Sequence, residues 1–85
     1  IVNLLPLTDA TRGFFDARRL ALCKRGAGLV NLARGGHVVD EDLAAALASG
    51  RLVHAVLDVF HEEPLPAGHR WWSHPHVSVL PHTAA

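Results

Sequence analysis

Hydrophobic positions cluster into four short runs, separated by stretches with helical spacing or turn residues. Ile1 to Leu5 is apolar except for Asn3 and ends at Pro6, which predicts a buried strand. Thr8 to Phe15 reads as a loop, with Asp9, Thr11 and Gly13 as turn formers. Asp16 is placed to cap a helix from Ala17 to about Arg25. There Ala17, Leu20 and Ala21 fall on one face, Lys24 and Arg25 suit the C-terminal dipole, and Gly26 or Gly28 ends the element. Leu29 to Ala33 predicts a second strand, broken by Gly35-Gly36. Asp40 is the expected cap of a second helix, with Glu41 and Asp42 in its first turn, Leu43 and Leu47 on one face and Gly50 as its stop. Val53 to Phe60 is the strongest strand signal, and after a connection from His61 to Pro75, Val77 to Leu80 forms a fourth strand.

Strands that alternate with helices and read as continuous apolar runs imply a parallel α/β sheet covered on both faces. The glycine-rich turn that opens a dinucleotide-binding domain has no counterpart here. Gly26-Ala27-Gly28 closes a helix and opens a strand, the reverse of the required context. The expected fold class is therefore the second half of a Rossmann-type doubly wound parallel sheet, with residues 1–85 forming part of an NAD(P)-binding domain.

Composition sharpens that picture. The chain is 49% hydrophobic, a heavy load for 85 residues, and it contains no Met. We expect an internal piece of a larger protein. Eight basic and eight acidic residues cancel, so no net field favours nucleic acid or an anionic membrane. No apolar run is long enough to span a bilayer. The single Cys23 cannot form an internal disulfide, which suits a reducing cytoplasm.

Three residues carry candidate chemistry, and each falls just past an apolar run, at the edge where open parallel sheets bind ligands. Arg34 stands in Asn31-Leu32-Ala33-Arg34-Gly35-Gly36, where the glycines allow a sharp turn and close approach to a ligand. A guanidinium there can fork onto a carboxylate, although an arginine after a strand is often a surface ion-pair partner. Glu63 follows Leu57-Asp58-Val59-Phe60-His61-Glu62 and precedes Pro64, which holds the Glu63 backbone extended. His82, in Leu80-Pro81-His82-Thr83-Ala84-Ala85, is an acid–base candidate whose charged form a neighbouring carboxylate would favour. Asp58 lies within the third run, where an isolated charge would be costly; a capping or salt-bridged carboxylate is the alternative. Asn31 reads as a hydrogen-bonded residue of the strand end.

At these motifs the chain resembles the D-isomer-specific 2-hydroxyacid dehydrogenases, NAD(P)-dependent enzymes that interconvert 2-oxo and 2-hydroxy acids. Glu63-Pro64-Leu65-Pro66 followed by Trp72-Ser73-His74-Pro75 most resembles the glyoxylate/hydroxypyruvate reductase A branch. The resemblance implies catalytic roles for Arg34 (substrate carboxylate and carbonyl), Glu63 and His82 (a proton-delivering dyad). It implies cofactor contacts at Leu5, Pro6, Leu32, Ala33, Arg34, Asp58, His82 and Ala84, with Asp58 on the nicotinamide carboxamide. Around Pro6-Leu7-Thr8, backbone packing explains the residues equally well. Many members carry Gly-Gly where this chain has Ala84-Ala85. The implied cofactor is NAD or NADP, the substrate a small 2-oxo acid, and the full-length assembly a homodimer.

Two rival readings stand beside this one, a non-catalytic NAD(P)-sensing binding module and an inactive fragment. His69, His74 and His76 crowd one loop, and we expect solvent-exposed loop histidines there and no metal. Trp71 and Trp72 are expected to cover that loop against the sheet or to face a partner domain, and Cys23 to be core.

Overall fold

A computed structural model describes residues 1–80 of the chain. Four strands form one parallel sheet in sequential order: β1 (Val2–Asn3), β2 (Ala27–Asn31), β3 (Leu52–Leu57) and β4 (Val77–Val79). Helix α1 (Ala17–Ala21) joins β1 to β2, and α2 (Asp40–Ala48) joins β2 to β3. Short 3-10 turns occupy Gly35–His37 and Arg70–Trp72.

The register aligns Leu29, Ala55 and Val77 in one row, and Asn31, Leu57 and Val79 in the next. These rows face a core built from Phe15, Leu20, Val38, Leu43, Leu47 and Trp71. Successive crossovers advance in the same direction across the sheet, and with a common hand they place both helices on the same side. The opposite face carries Val2, Val30, Val56 and Ser78 in register. Val2 is 59% exposed and none of the four joins the core. Coverage of both faces, expected from the apolar runs, thus holds for one face within the described residues.

Boundaries shift for identifiable reasons. Asp16 caps α1 as expected, its Oδ1 accepting from the Arg19 amide at 2.9 Å. The helix nevertheless stops at Ala21, well short of Arg25. β2 begins at Ala27, earlier than the apolar run suggests, so the chain must turn sooner, and it does so through Gly26 at φ +87°. Asp40 does not cap α2. A parallel bridge between Phe15 and Val38 holds Val38 and Val39 extended, so Val39 takes the cap position without a side-chain bond and Asp40 is already helical. β3 ends at Leu57 because its partner β2 ends at Asn31. β1 is shorter still: the Leu5 amide bonds the Asn3 Oδ1 at 3.1 Å and so leaves the ladder.

The loop between β3 and β4 is better anchored than its composition suggests. Trp71 is 1% exposed in the core, with His69 and His74 packed on its ring at centroid distances of 5.8 and 5.7 Å. His69 and His74 are therefore half-buried and not the solvent-exposed residues expected, whereas His76 is exposed. Among the described residues no cluster of three His, Cys, Asp or Glu side chains is arranged to hold a metal. Cys23 is a free, half-buried thiol packed against the core.

Candidate active site at the carboxyl edge of the sheet

Because all four strands run parallel, their C-terminal ends share one edge, and the candidate residues gather there. Leu5 and Pro6 follow β1, Leu32 to Arg34 follow β2, and Asp58 and Glu63 follow β3. Leu5, Pro6, Leu32, Ala33 and Arg34 line a single crevice of about 520 Å³ between the ends of β1 and β2. That size falls in the range of small-molecule sites, roughly 300–1,000 Å³.

A buried polar cluster is hydrogen-bonded to the residues that line this crevice. Asn3, Asn31 and His37 are each at most 2% exposed. Asn3 Nδ2 lies 2.9 Å from Asn31 Oδ1 and 3.0 Å from His37 Nδ1. Asn31 Oδ1 also accepts from the Ala33 amide at 3.2 Å, and its Nδ2 donates to the Arg34 carbonyl at 3.0 Å. Asn31 therefore ties down both ends of the Ala33-Arg34 segment, the structural role read from its place at the strand end. Asn3 and His37 escaped sequence reasoning. An Asn inside an apolar run was the only available signal for the first. His37 sits among seven histidines, with nothing local to single it out.

Arg34 is exposed, and its backbone is extended at φ −145° and ψ 146°. Its Nη1 donates to the Ala33 carbonyl at 2.7 Å, which folds the guanidinium back over the crevice rim. Among the described residues it forms no ion pair with a carboxylate.

Gly35 joins this loop to the next one. A Cβ at Gly35 would overlap the Phe60 carbonyl and the His61 amide, so only glycine lets the two backbones cross. Just beyond that crossing, Glu63 Oε2 accepts from the Phe60 amide at 3.0 Å and closes a tight turn, with a cis Glu63–Pro64 bond. His61 fastens the same loop to the start of α2, with Nε2 2.6 Å from the Val38 carbonyl and 3.6 Å from Asp40. Glu63 borders a second cavity of about 490 Å³, lined by Phe60, Pro64, Leu65, Trp72, Val79 and Leu80. Trp72 is 53% exposed on its wall, with its indole N–H donating to the Pro66 carbonyl at 2.8 Å.

Asp58 lies just past the end of β3, fully buried, and its amide donates to the Asn31 carbonyl at 3.1 Å. It is thus a strand-end residue and not, as expected, a residue within the strand. His82 and Ala84 lie outside the described residues, and the expected Glu63–His82 contact lies outside them too.

The fold and this edge define the second half of a nucleotide-binding α/β domain, and comparison with known proteins gives its lineage. Residues 1–84 match the model of the D-isomer specific 2-hydroxyacid dehydrogenase family, NAD binding domain. The chain belongs to that family. It is 49% identical to glyoxylate/hydroxypyruvate reductase A of Serratia proteamaculans over all 85 residues, which make up 27% of that relative. A D-isomer specific 2-hydroxyacid dehydrogenase family protein from Klebsiella pneumoniae superposes with a TM-score of 0.96 at 51% identity, over 99% of this chain and 27% of that one. An NADPH-dependent glyoxylate/hydroxypyruvate reductase from Sinorhizobium meliloti, solved with NADP and sulfate, gives 0.93 at 45% identity, over 99% and 28%. The chain thus spans about a quarter of the length of these relatives.

Proposed function

We propose that this chain is the cofactor-binding and proton-delivering part of a reductase that transfers hydride from NADH or NADPH to a small 2-oxo acid such as glyoxylate or hydroxypyruvate. The observation that carries the reading is Arg34, exposed on the rim of the crevice lined by Leu5, Pro6, Leu32 and Ala33 and paired with no carboxylate among the described residues. The crevice has the size and the mixed backbone and apolar lining that a nucleotide requires. When bound, the nicotinamide supplies the hydride.

The chain's own residues do the rest. Arg34 holds the substrate carboxylate in a fork and stabilises negative charge growing on the carbonyl oxygen. His82 delivers the proton to that oxygen, and Glu63 favours the charged imidazolium needed for it. Asp58 orients the nicotinamide carboxamide, which sets the ring face presented to substrate. Leu5, Pro6, Leu32, Ala33 and Ala84 run along the cofactor. Membership of the 2-hydroxyacid dehydrogenase family and the relatives named glyoxylate/hydroxypyruvate reductase support this assignment.

The full-length protein is read as a cytoplasmic homodimer that engages neither nucleic acid nor membrane. Balanced charge bears on the nucleic-acid part of that reading, one free thiol on its compartment, and the lack, among the described residues, of a helix long and apolar enough to cross a bilayer on its membrane part. Full-length protein is expected to oxidise NADPH or NADH when glyoxylate or hydroxypyruvate is added. Nucleotide binding without turnover of any small 2-oxo acid would favour the binding-module reading instead.

A further inference from the structure

His37 is fully buried and lies outside the roles assigned above, yet its two ring nitrogens reach two different segments. Nδ1 is 3.0 Å from the Asn3 amide nitrogen, which can only donate, so Nδ1 must accept. Nε2 is 3.2 Å from the Pro6 carbonyl, which can only accept, so Nε2 carries the hydrogen. The two partners together select one neutral tautomer. Through Asn3 the ring is joined to Asn31, which holds the Ala33 amide and the Arg34 carbonyl. Through Nε2 it is joined directly to the opposite rim. We propose that His37 is a positioning residue that sets the separation of the two rims of the cofactor crevice, with Pro6 on one side and Arg34 on the other.

The chemistry of the cluster supports a tether over simple space filling. An apolar side chain could fill the volume, but it would leave Asn3 with one partner fewer and Pro6 held by less. The Pro6 carbonyl keeps a second donor, the Thr11 hydroxyl at 2.8 Å, so that loop would loosen without unfolding. The turn Gly35–His37 also connects the Arg34 loop to the ring itself, so a shift at His37 is passed along the backbone to the guanidinium. The proposal rests on the crevice being the nucleotide site.

Two substitutions in the full-length protein separate tether from filler. In His37→Gln the amide nitrogen stands near the position of Nε2 and keeps the bond to Pro6 but gives up the bond to Asn3. In His37→Asn the side-chain oxygen stands near Nδ1 and keeps the bond to Asn3 but cannot reach Pro6. Losing one such hydrogen bond should weaken NADPH binding by about three- to tenfold in His37→Asn. His37→Gln should stay within about twofold of the parent, since the bond to Pro6 survives and the Gly35–His37 turn still joins it to the Arg34 loop. Equal affinities in both variants, whether unchanged or equally reduced, would overturn the proposal. Hydrogen exchange reads the same geometry without cofactor. The Leu5 amide, bonded to Asn3 Oδ1, should exchange faster in His37→Gln, where Asn3 loses its His37 partner, and near the parental rate in His37→Asn, where that bond is kept. A parent that binds no nucleotide would sink the proposed function, and the Leu5 exchange rates would then decide the tether by themselves. Equal Leu5 exchange in the two variants counts against it.

Discussion

Gly35 lies directly against the Phe60 peptide, at a separation that admits no side chain between them. This crossing is where the loop bearing Arg34 meets the loop bearing Glu63. Two candidate groups that are far apart in sequence thus share one backbone contact.

Gly35→Ala should therefore do more than its size suggests. The added methyl meets backbone, which cannot swing aside, so one or both loops must shift. Overpacking of this kind costs about 1–3 kcal/mol. We expect a lowered midpoint in denaturant melts together with a fall in kcat/KM that exceeds what the unfolded fraction explains. A variant with full activity and parental stability would mean that the loops are slack at the crossing.

Arg34→Lys should be nearly as damaging as Arg34→Ala. Lysine keeps the charge but loses the planar fork that holds carboxylate and carbonyl oxygens together. If the guanidinium also meets charge developing on the carbonyl oxygen, turnover should fall by about 10²–10³ as substrate binding weakens. Cofactor affinity should fall far less than substrate binding. Steady-state kinetics with glyoxylate and hydroxypyruvate test this, and near-normal turnover in the lysine variant removes Arg34 from the mechanism.

Glu63→Gln separates charge from geometry. The amide oxygen of Gln can still accept from the Phe60 amide, so the turn should persist and thermal stability should change little. The negative charge proposed to favour a protonated His82 is lost. Reduction needs the imidazolium, so its rate should begin to fall at lower pH than in the parent. The oxidative direction needs neutral imidazole and should suffer less near neutrality. A pH–rate profile for reduction that superposes on the parent would falsify the Glu63–His82 dyad.

Asp16→Ala tests a purely structural reading. Its carboxylate caps α1 through the Arg19 amide, and losing a cap costs about 0.5–2 kcal/mol. Because α1 packs on α2 and contributes no residue to the lining of the crevice, nucleotide affinity should be unchanged while the melting midpoint drops. A change in nucleotide affinity comparable to that in stability would show that the helices are coupled to the crevice.

The parallel α/β order, the cap at Asp16, the stop at Gly50 and the positions of Arg34 and Glu63 just past strands were all legible in the sequence. Each rests on local chemistry. Apolar runs, capping residues and left-handed glycines act on neighbours in the chain, so their signals survive without tertiary context. Other features depend on segments that meet only after folding. Asp40 looks like a cap, yet the Phe15–Val38 bridge moves the helix start, and its carboxylate faces His61 and His69 instead. Strand ends were misplaced because ladder length depends on the partner strand, which no single run encodes. Nothing near His37 in sequence marks it, since its partners Asn3 and Pro6 lie on another strand and its loop. Hydrogen bonds between distant segments are chosen by the register of the sheet, and that register exists only once β1 and β2 have paired.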